Sequence, residues 1–287
     1  MKNRIYTLSL LILLFSLTHL KAEELKIKSL KINMNNNTKV VVFEGDVVAE
    51  DYYKNKLFTD FAKYDKKNDL LKSEGATKIV TSEGFIIYGK DISFDNKKRI
   101  ISSNKQTEIV DKDGNKINAE MFNYLVDKKI ILSKGNTRLI DINNNKYNFS
   151  EIYIDEKSKK IIGSDVKMHL DQKSVSGTKD NEPRFYANTF NKSGETSTFD
   201  KGVFTYCKFK ENEKCPPWVL QSKKIKHNSS NKTIYYENAV LKIYDFPIFF
   251  FPRLSHPDPS VKRRSGFLFP SMSSSSNTGS GISLPYF

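Results

Sequence analysis

The sequence predicts an all-β fold assembled from stacked, similar units. Apolar anchors return at a nearly fixed interval. Short runs of Val, Ile, Tyr and Phe alternate with Asp/Asn/Lys/Gly turns, and no proline falls between Glu23 and Asn181 to interrupt a strand ladder.

The repeat is visible residue by residue. Tyr64-Asp65-Lys66-Lys67-Asn68-Asp69-Leu70-Leu71 is matched by Phe94-Asp95-Asn96-Lys97-Lys98-Arg99-Ile100-Ile101. The pattern returns at Tyr124 with Asp127-Lys128-Lys129-Ile130-Ile131, and at Ile154 to Ile162 with one residue inserted. The anchors Leu70, Ile100, Ile130 and Ile161 are therefore 30, 30 and 31 residues apart. Lys78-Ile79-Val80, Glu108-Ile109-Val110 and Arg138-Leu139-Ile140 recur between them. A fixed period means supersecondary units that bury their apolar faces only against their neighbours.

Side chains two apart on a strand share a face. Counting by twos from the aromatic anchors gives Phe58, Ala62 and Tyr64, then Tyr88, Ile92 and Phe94, then Phe122 and Tyr124, then Ile152 and Ile154. These ten are the expected inner face. Phe85, Ile87 and Met121 leave the opposite face partly apolar, so register is the point most open to correction. Two architectures fit: a parallel β-helix, or an open, V-shaped β-jelly roll whose interior is a continuous apolar groove.

The chain opens like an exported protein. Lys2 and Arg4 precede an apolar run from Ile5 to Leu17, and Leu20-Lys21-Ala22 offers a cleavage site before Glu23-Glu24. That run is short for a bilayer span and reads as a secretory signal over residues 1–22. The formal charge of +14 comes mostly from Lys at strand ends and turns. Such lysines protect strand edges, and they also attract anionic partners. Export and the lack of an aromatic-interleaved basic groove argue against nucleic acid.

After about Gly177 prolines and aromatics concentrate. Lys201 to Cys207 is followed by Cys215-Pro216-Pro217-Trp218, by Phe246-Pro247-Ile248-Phe249-Phe250-Phe251-Pro252, and by Lys262-Arg263-Arg264-Ser265-Gly266-Phe267-Leu268-Phe269-Pro270. From Gly202 to Phe287 this resembles the LptD family of lipopolysaccharide-assembly proteins, which join a periplasmic OstA-type jelly roll to an outer-membrane β-barrel. The resemblance implies a jelly roll over residues 23–252, then a linker and the first strands of a truncated barrel over 253–287. It also implies a function. Lipopolysaccharide acyl chains would pass along the groove to the barrel for insertion in the outer leaflet. The implied partners are a periplasmic bridge protein of the same jelly-roll type, a lipoprotein plug inside the barrel, and the outer membrane itself. Under the same resemblance Pro270 and Pro285 would loosen a lateral seam of the barrel. Cys207 would pair either with Cys215 or with a barrel cysteine absent from this chain.

The sequence departs from that family in length. A membrane barrel needs about 8 or more strands of roughly 9–11 residues. Ser265 to Met272 and Gly281 to Phe287, around a turn at Ser273 to Gly279, would be the only two, so the chain is expected to be a fragment or a truncation.

No enzyme, metal site or cofactor is expected. His169, His227 and His256 have no metal-ligand spacing, and there is neither a nucleophile elbow nor a phosphate-cradling glycine loop. Two other readings stay open: a soluble periplasmic lipopolysaccharide-binding bridge, and a secreted β-helix adhesin or polysaccharide-acting protein.

Overall fold

The structure, a computed structural model, describes residues 25–35, 37–171, 182–207, 217–261, 271–275, 279–283 and 286. Among these there is no helix. The chain runs as one antiparallel meander from Lys26 to Pro257; with the two halves of a bent strand taken as one, each inner strand is hydrogen-bonded to the strands before and after it. Every pairing between described strands is antiparallel, which excludes the parallel β-helix.

The thirty-residue period corresponds to two long strands and two tight turns. Each strand is bent near its middle. In Leu70–Ser73 with Ala76–Val80, or Ile86–Lys90 with Ser93–Asp95, the bend interrupts the ladder; in Ile130–Ile140 it survives as a register shift between Lys134 and Thr137. Left-handed backbone makes the kink at Gly45 (φ 74), Gly75 (φ 82), Gly135 (φ 90) and Asp165 (φ 49), positions separated by multiples of thirty. The halves on either side form two arms, and together these make an open jelly roll with a V-shaped section.

Two ladders of turns finish the arms, and each explains a repeated sequence feature. On one edge Asp51, Asp111 and Asp141 accept the backbone amide of the Asn four residues on, at 2.9 Å in each case. The side-chain oxygens of those Asn residues then accept amides of later turns, Ser82 from Asn55 and Ile142 from Asn115, so the turns are stapled together. On the other edge Lys39, Asp69, Arg99, Lys129 and Lys159 recur every thirty residues with φ between 54° and 58°. This is the left-handed position that closes a hairpin after a type I turn.

The inner faces carry cross-strand rows of apolar side chains. One arm has Ala49, Leu57, Ile79, Ile87, Ile109, Ile117, Leu139, Tyr147, Met168, Phe185, Phe204, Leu220 and Leu241 in register. The other has Val41, Tyr64, Leu71, Phe94, Ile101, Tyr124, Ile131, Ile154 and Ile161. The arms meet through rings: Tyr147 lies 5.5 Å from Phe190, Phe185 4.9 Å from Phe199, and Phe204 5.5 Å from His256. Small residues alternate with large ones near the bend, where Ser103 and Ser133 flank Phe122 and Gly163 stands beside Ile152 and Phe190.

At the C-terminal end of the chain the strands differ from expectation. They run Ser271–Ser275 and Gly279–Ser283, paired from Ser271↔Ser283 to Ser275↔Gly279. Ser273 to Ser275 therefore belong to a strand rather than a turn, because backbone pairing does not require apolar side chains. Pro270 and Pro285 lie outside the described residues.

Gly163 has ordinary strand geometry, yet a Cβ there would lie 2.3 Å from the ring of Phe149. Gly163→Val is expected to destabilise the fold by about 1–3 kcal/mol through overpacking, read as a lower midpoint in urea. Pairing it with Phe149→Ala should recover part of that loss.

Candidate functional site

Among the described residues, the interior between the arms is an extended apolar feature built by the strand register. Of the ten residues expected on the inner face, Ala62, Ile92, Phe94, Phe122, Tyr124, Ile152 and Ile154 are buried there. Tyr64 stands half-buried at the rim, its hydroxyl donating to Asp69 at 2.6 Å. Phe58 and Tyr88 are corrections. Both pair with Lys78 on the outer face, and Tyr88 is 43% exposed. The physical reason is the bend, which reverses which parity points inward. In the strand pair 86–95 the inner residues are Ile87 before the bend and Ile92 and Phe94 after it. Counting by twos through a bend therefore assigns the wrong face. Phe85 and Ile87, placed on the opposite face by that count, point into the core. Phe58 and Tyr88 instead help to line a shallow outer depression of about 390 Å³ with Val48, Asp60 and Lys78.

The interior comes to the surface at both ends of the meander. At the N-terminal edge Ile32 and Met34 continue the inner rows opposite Phe43 and Val41, and both are more than half exposed. At the other edge Phe249 continues the row of Leu241 and is 57% exposed. Its neighbours Phe246, Ile248 and Phe250 are exposed as well.

Along its length the mouth of the V is closed by side chains, since no described backbone pairing joins the two lips. Charge pairs span it: Arg99 with Asp51 at 3.8 Å, Lys129 with Glu83, and Lys159 with Asp113 at 3.0 Å. Arg99 also lies over the ring of Tyr53 at 5.3 Å. Between these pairs sits Glu156, buried, accepting the hydroxyl of Thr81 at 2.9 Å and that of Tyr124 at 2.8 Å. Desolvation raises its carboxyl to about 7, against the pull of those two hydroxyls. Nothing in the local sequence signals this residue, because its partners come from distant repeats.

A second polar group lies under the last strands. His256 is half-buried, donates through Nδ1 to the carbonyl of Pro257 and accepts the Tyr236 hydroxyl at Nε2, each at 2.7 Å. Desolvation lowers it to about 4, so it stays neutral. His227 pairs with Asp258. Among the described residues no three His, Cys, Asp or Glu side chains gather as a metal site would require. Cys207 ends the strand Thr196–Cys207 opposite Glu182, while Cys215 lies outside the described residues.

These features define a class: an all-β jelly roll with an apolar interior that surfaces at both ends and a mouth closed by side chains. Within that class the chain is similar to LPS-assembly protein LptD. It is 43% identical to that of Shewanella sp. (strain MR-4) over 77 residues, which is 25% of this chain and 10% of that protein. It is 35% identical to that of Francisella tularensis subsp. novicida over 106 residues, 36% of this chain and 12% of that protein. The chain thus spans about a tenth of the length of the curated relatives it matches. No protein-family model matches it. Among solved structures it is similar to LptH, the LptA-homologous periplasmic component of the lipopolysaccharide transport device of Pseudomonas aeruginosa. The TM-score is 0.23 at 16% identity, covering 50% of this chain and 82% of that one. The fold assignment accordingly rests on the strand register.

Glu156 gives a pH test. Its carboxyl is raised above the unfolded value of 4.5, so its contribution is fully present below pH 4.5 and is lost as pH rises through about 7. Glu156→Gln is expected to flatten that part of the stability profile and to be relatively more stable than the parent at pH 8, by on the order of 1–2 kcal/mol. Thermal melts of both proteins at pH 5 and pH 8 provide the comparison.

Proposed function

We propose that this chain is the membrane-proximal jelly-roll part of a lipopolysaccharide-assembly protein at the outer membrane. In this reading its interior takes up lipopolysaccharide acyl chains and passes them toward the outer leaflet. The observation that carries the reading is the continuity of the inner apolar rows from Ile32 and Met34 at one end to Phe249 at the other. A closed structural core would instead end in polar or capped edges. The sequence similarity to LptD over the matched residues supports the same reading.

The N-terminal edge would receive a periplasmic bridge protein of similar jelly-roll type, extending the sheet and continuing the interior across the junction. The exposed aromatics of Phe246–Pro257 would face the barrel side, where the lipoprotein plug belongs. A soluble bridge would share the interior but has no use for so many exposed aromatic side chains on its last strand. The chain's own part is passive, as a path for the lipid, and energy for movement comes from its partners.

Site-specific photocrosslinking in cells tests the path. Probes at Phe94, Phe122 and Ile154 are expected to form lipopolysaccharide adducts, whereas probes at exposed Lys97 and Lys128 form few. Adducts at none of the inner positions in a folded protein would mean the interior is only a core. Ile32→Asp with Met34→Asp tests the entry end. Because both side chains are already exposed, the circular dichroism spectrum should stay unchanged while lipid transfer from the bridge partner falls on the order of tenfold.

A further inference from the structure

The two lips of the mouth differ in charge. On the lip formed by the turns after residues 65, 95, 125 and 155, Asp65 and Asp155 accept backbone amides of their own turns, Asn68 and Ser158 among them. Asp95 does the same for Lys98. The carboxylates of Asp65 and Asp155 are thus folded back onto the turns, while Lys66, Lys67, Lys97, Lys98, Lys128 and Lys157 are exposed. Of these, Lys97 donates to the Lys67 carbonyl at 2.9 Å and Lys98 pairs with Asp95 at 3.1 Å. Successive turns on this lip are two strands apart, so the lysines recur about every 10 Å along it. The facing lip presents Glu83 and Asp113, and these hold Lys129 and Lys159 across the mouth.

Directly inside the basic lip runs the apolar row Leu71, Phe94, Ile101, Tyr124, Ile131 and Ile154. An acyl chain in that row leaves its polar end among the turn lysines, because Phe94 is three residues from Lys97 and Ile154 three from Lys157.

We propose that the basic lip is a binding site for the phosphorylated headgroup of an amphiphile, and that the headgroup opens the mouth by taking Lys129 and Lys159 from Glu83 and Asp113. This rests on the lipid-path reading above and adds the headgroup contact and the means of entry. A phosphate oxygen is a stronger partner for an ammonium group than a half-exposed carboxylate, so the exchange needs no other energy source. Once the pairs are exchanged, only side-chain contacts hold the arms together at the lips. The acyl chains can then enter sideways and need not thread from an end.

The test compares two probes with the same single acyl chain, lysophosphatidic acid and the uncharged monoacylglycerol, titrated into the full chain. Lysophosphatidic acid is expected to bind at least tenfold more tightly, with the difference shrinking as NaCl rises. Lys97→Gln with Lys98→Gln, Lys128→Gln and Lys157→Gln should cut the preference severalfold, to what the remaining lip lysines supply, and leave monoacylglycerol binding unchanged. Glu83→Gln with Asp113→Asn removes the clasp and should tighten both probes. Inorganic phosphate at the same concentration should displace neither. Equal binding of the two probes, or a preference undiminished in the fourfold lysine variant, overturns the headgroup site while the lipid path stands. Full displacement by inorganic phosphate would reassign the lip to free anions. Binding of neither probe removes the lipid path and this inference with it.

Discussion

The bend in each strand is the constraint on which the rest depends. A flat meander of this length would expose one apolar face to water along all of its strands. Kinking every strand at the same height folds that face onto itself and brings Tyr147 against Phe190 and Phe185 against Phe199. The left-handed residues at Gly45, Gly75, Gly135 and Asp165 set the kink. The Asp-Asn turn staples on one edge and the left-handed turn residues on the other keep successive strands at equal length, so the kinks stay aligned. Without that alignment the apolar rows would fall out of register and the interior would break into separate patches.

From this follows a division of labour between backbone and side chains. Backbone pairing builds each arm, yet among the described residues the lips are joined by side chains: Arg99, Lys129 and Lys159 with their acidic partners, Arg99 over Tyr53, and Glu156 with Thr81. The Lys129 and Lys159 pairs are half-exposed or exposed and contribute little each, roughly 0–1 kcal/mol, whereas Arg99 and Asp51 are buried together. In the reading proposed above, a mouth closed by side chains alone opens while both arms keep their backbone pairing. The meander's ends are open for a different reason: among the described residues, Ile32, Met34 and Phe249 belong to edge strands that have a neighbour on one side only.

Much of this was legible in the sequence. The thirty-residue period, the turns and the strand content follow from local residue patterns, and the structure places seven of the ten expected inner residues in the core: Ala62, Ile92, Phe94, Phe122, Tyr124, Ile152 and Ile154. Phe58 and Tyr88 were misplaced because alternation holds only within an unbent stretch, and Gly75 or Asp91 does not declare itself a kink when read alone. The second inner row was within reach, since Ile79, Ile109 and Leu139 recur thirty residues apart, but its inward direction depends on that same kink. The clasp was out of reach. Lys129 and Glu83 are 46 residues apart, and only the folding of one arm over the other brings them together.

The central claim is that the arms part to admit lipid while each arm keeps its strands. It is tested most directly by the distance between spin labels on the two lips, at Lys112 and Lys128, with Cys207 and Cys215 replaced by Ser. The account predicts that added lipopolysaccharide lengthens this distance and that a control pair within one arm, at Lys97 and Lys128, does not change. An unchanged distance between the lips at saturating bound lipid would contradict it.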